Sequence, residues 1–340
     1  MMQSFINLSN ISTGYINGSK RKAVTSGLNG NLYKGELTCL LGPNGMGKST
    51  LLRTLSAFQP SLKGQISVDG RCLGEYSTGE LARTISVVLT ERPAIPNISV
   101  EEFVALGRSP YTGFFGKLTD SDSKIVEKSI EQVGVTNLKD RQWLSLSDGE
   151  KQKVMIAKSL AQETPVIFLD EPTAFLDLPS KVEIMHLLHR LARENNKLIL
   201  LSTHDMELAL QMADRLWVLA GTDTLWTGSP EDLLMDKIFT DFFERDGIKF
   251  DRKTGGFRVQ NKIDYSVNLK GRGFEFGLIK TALMRMYIDA GEEKDSEYTI
   301  EIERKERTVF NLIKQNNIIF TSPSIEEISR VTASFLRKAS

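Results

Sequence analysis

A glycine-rich segment, Gly42–Ser49, carries the clearest chemical signal in the chain. It fits the spacing of a phosphate-binding loop, G-x-x-x-x-G-K-[ST], and it lies between an apolar run and a helix-forming stretch. Glycines let backbone N–H groups close around phosphate oxygens, and the helix N-terminus adds a positive dipole. Lys48 is expected to reach the β- and γ-phosphates, and Ser49 is expected to bind Mg²⁺.

This segment therefore predicts an ATP site, with a glycine-rich turn that has no phosphate role as the alternative. The residues expected to contact the nucleotide here are Gly42, Pro43, Asn44, Gly45, Met46, Gly47, Lys48, Ser49 and Thr50.

Two adjacent carboxylates, Asp170 and Glu171, follow the apolar run Val166–Leu169. An aspartate at the end of such a strand is suited to hold Mg²⁺, and a neighbouring glutamate can act as a general base or orient water. Taken alone, two surface acids after a strand would be the simpler interpretation. The phosphate loop upstream favours the catalytic one.

Together these segments resemble the ABC ATPase family, over roughly residues 3–240. Leu146–Glu150 stands in the place of that family's LSGGQ signature, just before a helix, and Ala174–Asp177 is similar to its D-loop. His204, after another apolar strand, matches the switch histidine. Tyr15, upstream of the phosphate loop, is the candidate aromatic for stacking on adenine.

The resemblance implies a head-to-tail homodimer with two ATP molecules sandwiched between the subunits. Each ATP would contact one phosphate loop and the other subunit's Ser147 and Gly149. The D-loop Asp177 is also expected to contact the nucleotide. Glu171 would be the catalytic base, and His204 would contact the γ-phosphate and stabilise developing charge. A histidine satisfied within the core is the alternative for His204.

The chain departs from the family pattern at two sites. The family's Q-loop glutamine is replaced by Thr90-Glu91, and either residue could supply an oxygen to Mg²⁺ or water. Thr90 is the expected metal ligand beside Ser49 and Asp170. The alternative is that neither Thr90 nor Glu91 touches the metal and that the loop only transmits motion to the membrane partner. Asp148 and Glu150 add negative charge to the signature; repulsion at about 4 Å would cost roughly 1–4 kcal/mol unless they point away.

A further pattern narrows the resemblance to one importer subgroup. Val104–Tyr111 and the following glycine and Asp120 are similar to a G-R-x-P-Y…G…D pattern in ATPases of iron-siderophore, haem and cobalamin importers. This implies integral-membrane permease subunits and a substrate-binding protein as partners. Ordinary packing of loop and helix is the alternative meaning of the pattern.

The elements that must position these residues follow from the apolar runs. Continuous runs typical of a parallel sheet buried on both faces recur along the chain. Alternating residues near the start predict an antiparallel β patch, and a helical subdomain is expected at about 100–161. The fold class is therefore α/β, a P-loop NTPase domain of the ABC type with a small C-terminal α/β domain.

The length of 340 residues favours two domains, placed at 1–250 and 251–340 with a linker over Asp251–Phe257. In the second domain we expect strands at Tyr265–Leu269, Tyr298–Glu303 and Thr308–Leu312. Helices are expected at Glu275–Ala290 and Ile325–Leu336. A regulatory or dimer-stabilising role and a simple packing appendage remain equal alternatives for this domain.

Composition limits the partners and the location. Lys+Arg and Asp+Glu both number 43, so no charge excess predicts nucleic-acid binding. With two cysteines, no leader pattern at the start and no run of about 20 apolar residues, we expect a cytoplasmic protein held on the inner face of the membrane by its permease. The alternatives are an ATP-binding regulatory subunit with weak hydrolysis and a soluble, non-transport ABC ATPase.

Overall fold

The computed structural model describes residues 3–18, 20–91, 93–113, 116–236, 242–244, 248–251, 256–259, 262–304 and 307–339. The chain separates into two compact units, residues 1–239 and 240–340. This division falls before the boundary expected near Asp251. Among the described residues, no helix combines the length and apolarity needed to cross a membrane.

Two sheets form the framework of the first unit. The antiparallel sheet has the order β2-β1-β4-β5, with β1 Ile6–Asn17, β2 Lys20–Leu32, β4 Lys63–Val68 and β5 Arg71–Cys72. The central sheet contains β3 Leu37–Leu41, β6 Ile85–Val88, β7 Val166–Asp170, β8 Leu198–Ser202, β9 Arg215–Leu219 and β10 Leu225–Gly228. Its order is β10-β9-β3-β8-β7-β6, and only β10 is antiparallel to its neighbour.

One apolar core joins these two sheets. Leu28 of β2, Leu40 of β3, Phe168 of β7 and Trp217 of β9 belong to a single buried cluster, and Leu51 extends it to the first helix. Burying a side chain of this size contributes about 1.5–3 kcal/mol. The core therefore fixes the strand ends and the start of that helix, where the functional residues lie.

In the described residues of the first unit, eight α-helices surround the central sheet or form the helical subdomain. They are α1 Lys48–Leu55, α2 Thr78–Thr84, α3 Val100–Ala105, α4 Asp120–Gln132, α5 Asp148–Ala161, α6 Leu178–Glu194, α7 Met206–Met212 and α8 Pro230–Met235. Capping boxes begin α2, α3, α4 and α5, so a serine or threonine and an acid three residues later satisfy the free N–H groups.

A buried arginine ties the helical subdomain together. Arg108 is 4% exposed and donates hydrogen bonds of 2.8 Å to Asp122 Oδ1, the Ala161 carbonyl and Glu163 Oε2. Hydrogen bonds from the Thr119 hydroxyl and N–H, then the Arg108 guanidinium, lower the pKa of Asp122 to about 2. Arg108, the arginine of the importer-type pattern, therefore stabilises the packing of the helical subdomain.

In the second unit, the described residues from 262 onward form one five-stranded sheet with two helices. Its elements are a hairpin of β11 Ile248–Asp251 and β12 Gly256–Val259, then β13 Tyr265–Lys270, α9 Phe274–Met284, β14 Ile288–Gly291, β15 Tyr298–Arg304, β16 Thr308–Lys314, β17 Asn317–Ser322 and α10 Ile325–Ala339. The sheet order is β14-β13-β15-β16-β17, with β13 parallel to β14 and β15.

Three expectations for this region need correction. The helix expected over Glu275–Ala290 ends at Met284, because the chain turns at Tyr287 (φ 65°) and continues as β14. The linker expected over Asp251–Phe257 contains residues of β11 and β12, which pair as an antiparallel hairpin. Strand β17 was not predicted from the sequence.

We expect Arg108→Ala to lower the free energy of unfolding by about 2–4 kcal/mol, because three hydrogen-bond acceptors lose a buried donor. Urea denaturation followed by circular dichroism measures this change. Lys128→Ala, which removes an exposed positive charge from α4, is the control and should change the value by less than about 0.5 kcal/mol. Equal effects of the two substitutions would contradict a structural role for Arg108.

Candidate active site

The phosphate loop connects β3 to the N-terminus of α1. Gly47 has φ +102°, and a Cβ there would lie 2.6 Å from Val24 Cγ1, so only glycine fits. Lys48 donates from Nζ to the carbonyl oxygen of Gly42 at 2.8 Å. Burial lowers the pKa of Lys48, and the nearby carboxylates of Glu171 and Asp170 oppose this shift. The ammonium thus lies over the loop that would surround the phosphates.

Asp170 and Ser49 meet at the carboxyl edge of the central sheet. The Ser49 hydroxyl donates to Asp170 Oδ1 at 3.2 Å. Strand β8 lies between β3 and β7, and its last residue, Ser202, donates to the same carboxylate oxygen at 2.6 Å. Two hydroxyls and a carboxylate offer the hard oxygen atoms that Mg²⁺ prefers. The donor set therefore fits the metal expected with a nucleotide.

Glu171 and His204 stand beside this group. Glu171 has φ +48°, and its N–H donates to the Ser202 hydroxyl at 2.9 Å. His204 Nδ1 lies 3.8 Å from Glu171 Oε2. The His204 side chain is 58% exposed, so the alternative of a core histidine is wrong. Both side chains face outward from the end of the sheet, where a bound phosphate would lie.

Tyr15 is held next to the start of α1. Its hydroxyl lies 3.2 Å from Thr50 Oγ1, and the residue is 48% exposed. The ring thus offers an open aromatic surface close to the phosphate loop. This placement suits the stacking role predicted from the sequence, which stays a prediction.

The signature segment and the D-loop begin two other helices. Ser147 is the N-cap of α5, and Asp177 is the N-cap of α6, where its carboxylate accepts from the Ser180 N–H at 3.1 Å. Gly149 lies near Ser180, since a Cβ at Gly149 would be 3.4 Å from Ser180 Oγ. Within the described residues, no hydrogen bond joins Ser147 or Gly149 to the phosphate loop of the same chain.

Comparisons with known proteins agree with this geometry. Residues 25–174 match the family model described as ABC transporter. An uncharacterised ABC transporter ATP-binding protein of Methanocaldococcus jannaschii is 38% identical over 252 residues, which cover 74% of this chain and 86% of that protein. The iron(3+)-hydroxamate import ATP-binding protein of Bacillus subtilis is 34% identical over 226 residues, covering 66% and 84% respectively.

The chain belongs to the ABC transporter ATP-binding family. A solved ATP-binding cassette, a dimer in a post-hydrolysis state bound to ADP and Pi, is similar with a TM-score of 0.57 and 25% identity. That match covers 66% of this chain and 98% of the cassette. The protein is thus an ABC-type ATPase that binds nucleotide, and its α/β P-loop fold agrees with the sequence prediction.

The Q-loop position of this ABC ATPase is joined directly to the catalytic strand. Thr90 donates from its hydroxyl to the backbone carbonyl of Asp170 at 2.7 Å, and Glu91 is exposed. In this structure the proton of the Thr90 hydroxyl is therefore already donated to the backbone of Asp170. Its role as a metal ligand stays a prediction.

The altered signature has a specific internal contact. Glu150 Oε2 accepts from the Ser147 N–H at 2.8 Å and from the Ser147 hydroxyl at 2.9 Å. These hydrogen bonds lower the pKa of Glu150, so its carboxylate stays charged near neutral pH. The charge is turned toward the serine expected to meet ATP, rather than away from it. Asp148, the other acidic replacement, is exposed.

Sequence reasoning missed two features of the site. Ser202 was not identified as a site residue, although its hydroxyl joins the Asp170 carboxylate to the Glu171 N–H. Its signal was a serine ending an apolar strand, a position that lies at the sheet edge in a parallel fold. Phe175 and Leu178, at the D-loop, are 86% and 67% exposed.

We expect Ser202→Ala to raise the Mg²⁺ concentration needed for half-maximal ATP hydrolysis by about 10–100-fold, because Asp170 loses the donor that orients it. The measurement is ATPase rate against Mg²⁺ concentration. Ser86→Ala is the control, since Ser86 is a buried serine whose hydroxyl bonds to Ser159, outside the site. An unchanged Mg²⁺ requirement in Ser202→Ala would contradict the positioning role.

Proposed function

We propose that this ABC ATPase is the motor subunit of an importer. Two copies pair head to tail and enclose two ATP molecules, and the pair drives permease subunits that receive cargo from a substrate-binding protein. The permease holds the motor at the inner face of the membrane. The proposal rests on the complete phosphate loop and the carboxylates of Asp170 and Glu171, in a subunit whose Ser147 and Gly149 make no hydrogen bond with its own loop among the described residues.

The surface around the site supports pairing with a second copy. Phe175 and Leu178 are large apolar side chains left exposed at the D-loop. Exposed apolar groups of this kind beside polar functional residues are typical of interaction sites. A partner's signature segment placed over the phosphate loop would cover them and would bring the partner's Ser147 and Gly149 to the γ-phosphate.

The catalytic steps follow from the side chains in place. Lys48 would exchange the Gly42 carbonyl for the β- and γ-phosphates, and Ser49, Asp170 and Thr90 would hold the Mg²⁺ of the nucleotide. Bound Mg²⁺ neutralises charge on the phosphates. Glu171 orients the attacking water or accepts its proton, and His204 donates to the γ-phosphate oxygens as charge develops.

Coupling to the permease has a physical route. A groove of about 340 Å³ in the first unit is lined by residues that include Leu89, Glu91, Phe103, Lys158 and Gln162. Burial lowers the pKa of Lys158. The groove adjoins Thr90, whose hydroxyl bonds the Asp170 carbonyl. A permease segment bound in this groove would contact the residues on either side of Thr90. The hydrogen bond from Thr90 would then link that segment to strand β7.

The cargo class is inferred from two sources. The Bacillus subtilis relative is named for import of an iron(3+)-hydroxamate complex. The Gly107–Tyr111 segment is similar to that of ATPases serving iron-siderophore, haem and cobalamin importers. We therefore propose that the cargo is an iron complex. The relative favours a siderophore, and the Gly107–Tyr111 segment is equally compatible with haem or cobalamin.

We expect Glu171→Gln to abolish steady-state ATP hydrolysis while leaving an ATP-bound dimer that size-exclusion chromatography detects. The amide cannot accept a proton, whereas ATP still closes the pair. Lys48→Ala is the matched control and should lose both ATP binding and dimer formation. Wild-type hydrolysis rates in Glu171→Gln would remove Glu171 from its assigned role.

We expect Glu150→Gln to tighten ATP-dependent dimerisation about threefold to tenfold, since the amide competes less strongly for the Ser147 hydroxyl and removes a charge near the γ-phosphate. Analytical ultracentrifugation in the Glu171→Gln background gives the dimer dissociation constant. ATP affinity of the monomer should not change, because Ser147 acts on the partner's nucleotide. A weaker dimer in Glu150→Gln would show that the carboxylate helps closure.

A further inference from the structure

The second unit contains a cavity of about 800 Å³ that the ATPase mechanism does not use. This size lies within the range of small-molecule sites, about 300–1,000 Å³. The β11–β12 hairpin, helix α9 and strand β14 supply its lining. Apolar lining residues include Val259, Ile263, Phe274, Leu278 and Ile288.

One face of α9 forms an uncovered wall of this cavity. Phe274, Leu278, Thr281 and Arg285 recur at intervals of four, three and four residues, so they lie on the same side of the helix. Phe274 is 77% exposed and Leu278 is 41% exposed. The opposite face of α9 places Ile279 in the core of the unit. The helix therefore has two apolar faces, and only one of them is buried.

The charges around the cavity are unbalanced. Lys249, Lys280 and Arg285 line it, and within the described part of the chain none of the three makes an ion pair or a side-chain hydrogen bond. Among the lining residues that the structure describes, Asp289 carries the carboxylate, and it is paired with Lys294. In this described part, the cavity thus combines an apolar wall with three cations that have no anionic partner.

We propose that this cavity binds a small organic anion with an apolar body, such as an aromatic or medium-chain carboxylate or sulfonate. The apolar part lies along Phe274 and Leu278, and the anionic group is bound by Lys280, Arg285 and Lys249. Charge complementarity selects the anion, because a cation would face three like charges and a neutral molecule would leave them unpaired. This inference is independent of the proposed transport function.

A direct test uses the full-length protein and the fluorescent aromatic sulfonate 8-anilinonaphthalene-1-sulfonate as the probe. We expect saturable binding that decanoate displaces and that decyltrimethylammonium, of equal chain length and opposite charge, does not. The double substitution Lys280→Glu/Arg285→Glu should weaken probe binding at least tenfold. The matched control Lys124→Glu/Lys128→Glu reverses two exposed charges on α4 and should leave binding unchanged.

A second variant separates loss of the site from loss of the fold. Thr281→Trp keeps the charge and fills the cavity from the exposed face of α9, so it should also weaken probe binding at least fivefold. Unchanged circular dichroism and thermal unfolding of both variants would show that the second unit remains folded.

Three results would overturn the proposal. Equal displacement by decyltrimethylammonium would remove the selection for anions. Equal weakening by the α4 control would place the probe elsewhere or make its binding non-specific. A nucleotide-free dimer that Phe274→Asp dissociates would assign the exposed face of α9 to a second copy of the chain.

Discussion

The hydroxyl of Ser202 connects the Asp170 carboxylate to the backbone of Glu171, the two residues on which the site depends. It donates to Asp170 Oδ1 and accepts from the Glu171 N–H, so one buried atom orients the proposed metal ligand and the backbone of the proposed base. This contact exists because β8 lies between β3 and β7 in the parallel sheet. The carboxyl ends of three neighbouring strands then meet at one edge, as in other open α/β sheets.

The same edge explains why, in the proposed head-to-tail dimer, a single subunit would hold only half of a nucleotide site. The phosphate loop, Asp170, Glu171 and His204 come from the ends of central strands, whereas Ser147 begins a helix of the helical subdomain. That subdomain is packed around the buried Arg108 and the stacked rings of Phe103 and Trp143, whose centroids lie 4.2 Å apart. Within the described residues, Ser147 makes no hydrogen bond with its own phosphate loop, which favours completion by a second copy.

Much of this arrangement could be predicted from the sequence, because its signals are local. The phosphate loop, the apolar run before Asp170 and the strand before His204 each carry their own spacing rule. The role of Ser202 was missed because it depends on which strands are neighbours, which no local pattern states. The end of α9 was also missed: Ile288 and Ala290 continue an apolar pattern, but the left-handed turn at Tyr287 sends them into a strand.

The departures from the family pattern form connected contacts rather than isolated losses. Where the family has a Q-loop glutamine, the Thr90 hydroxyl donates to the backbone carbonyl of Asp170. Movement of that loop would therefore act on strand β7 through its backbone, and a side chain as long as glutamine would not be required. At the signature, Glu150 bonds both the N–H and the hydroxyl of Ser147. In the proposed dimer, an approaching γ-phosphate would therefore compete with a carboxylate for the same hydroxyl. Such competition would place part of the control of ATP-driven closure in the signature helix itself, independently of the phosphate loop.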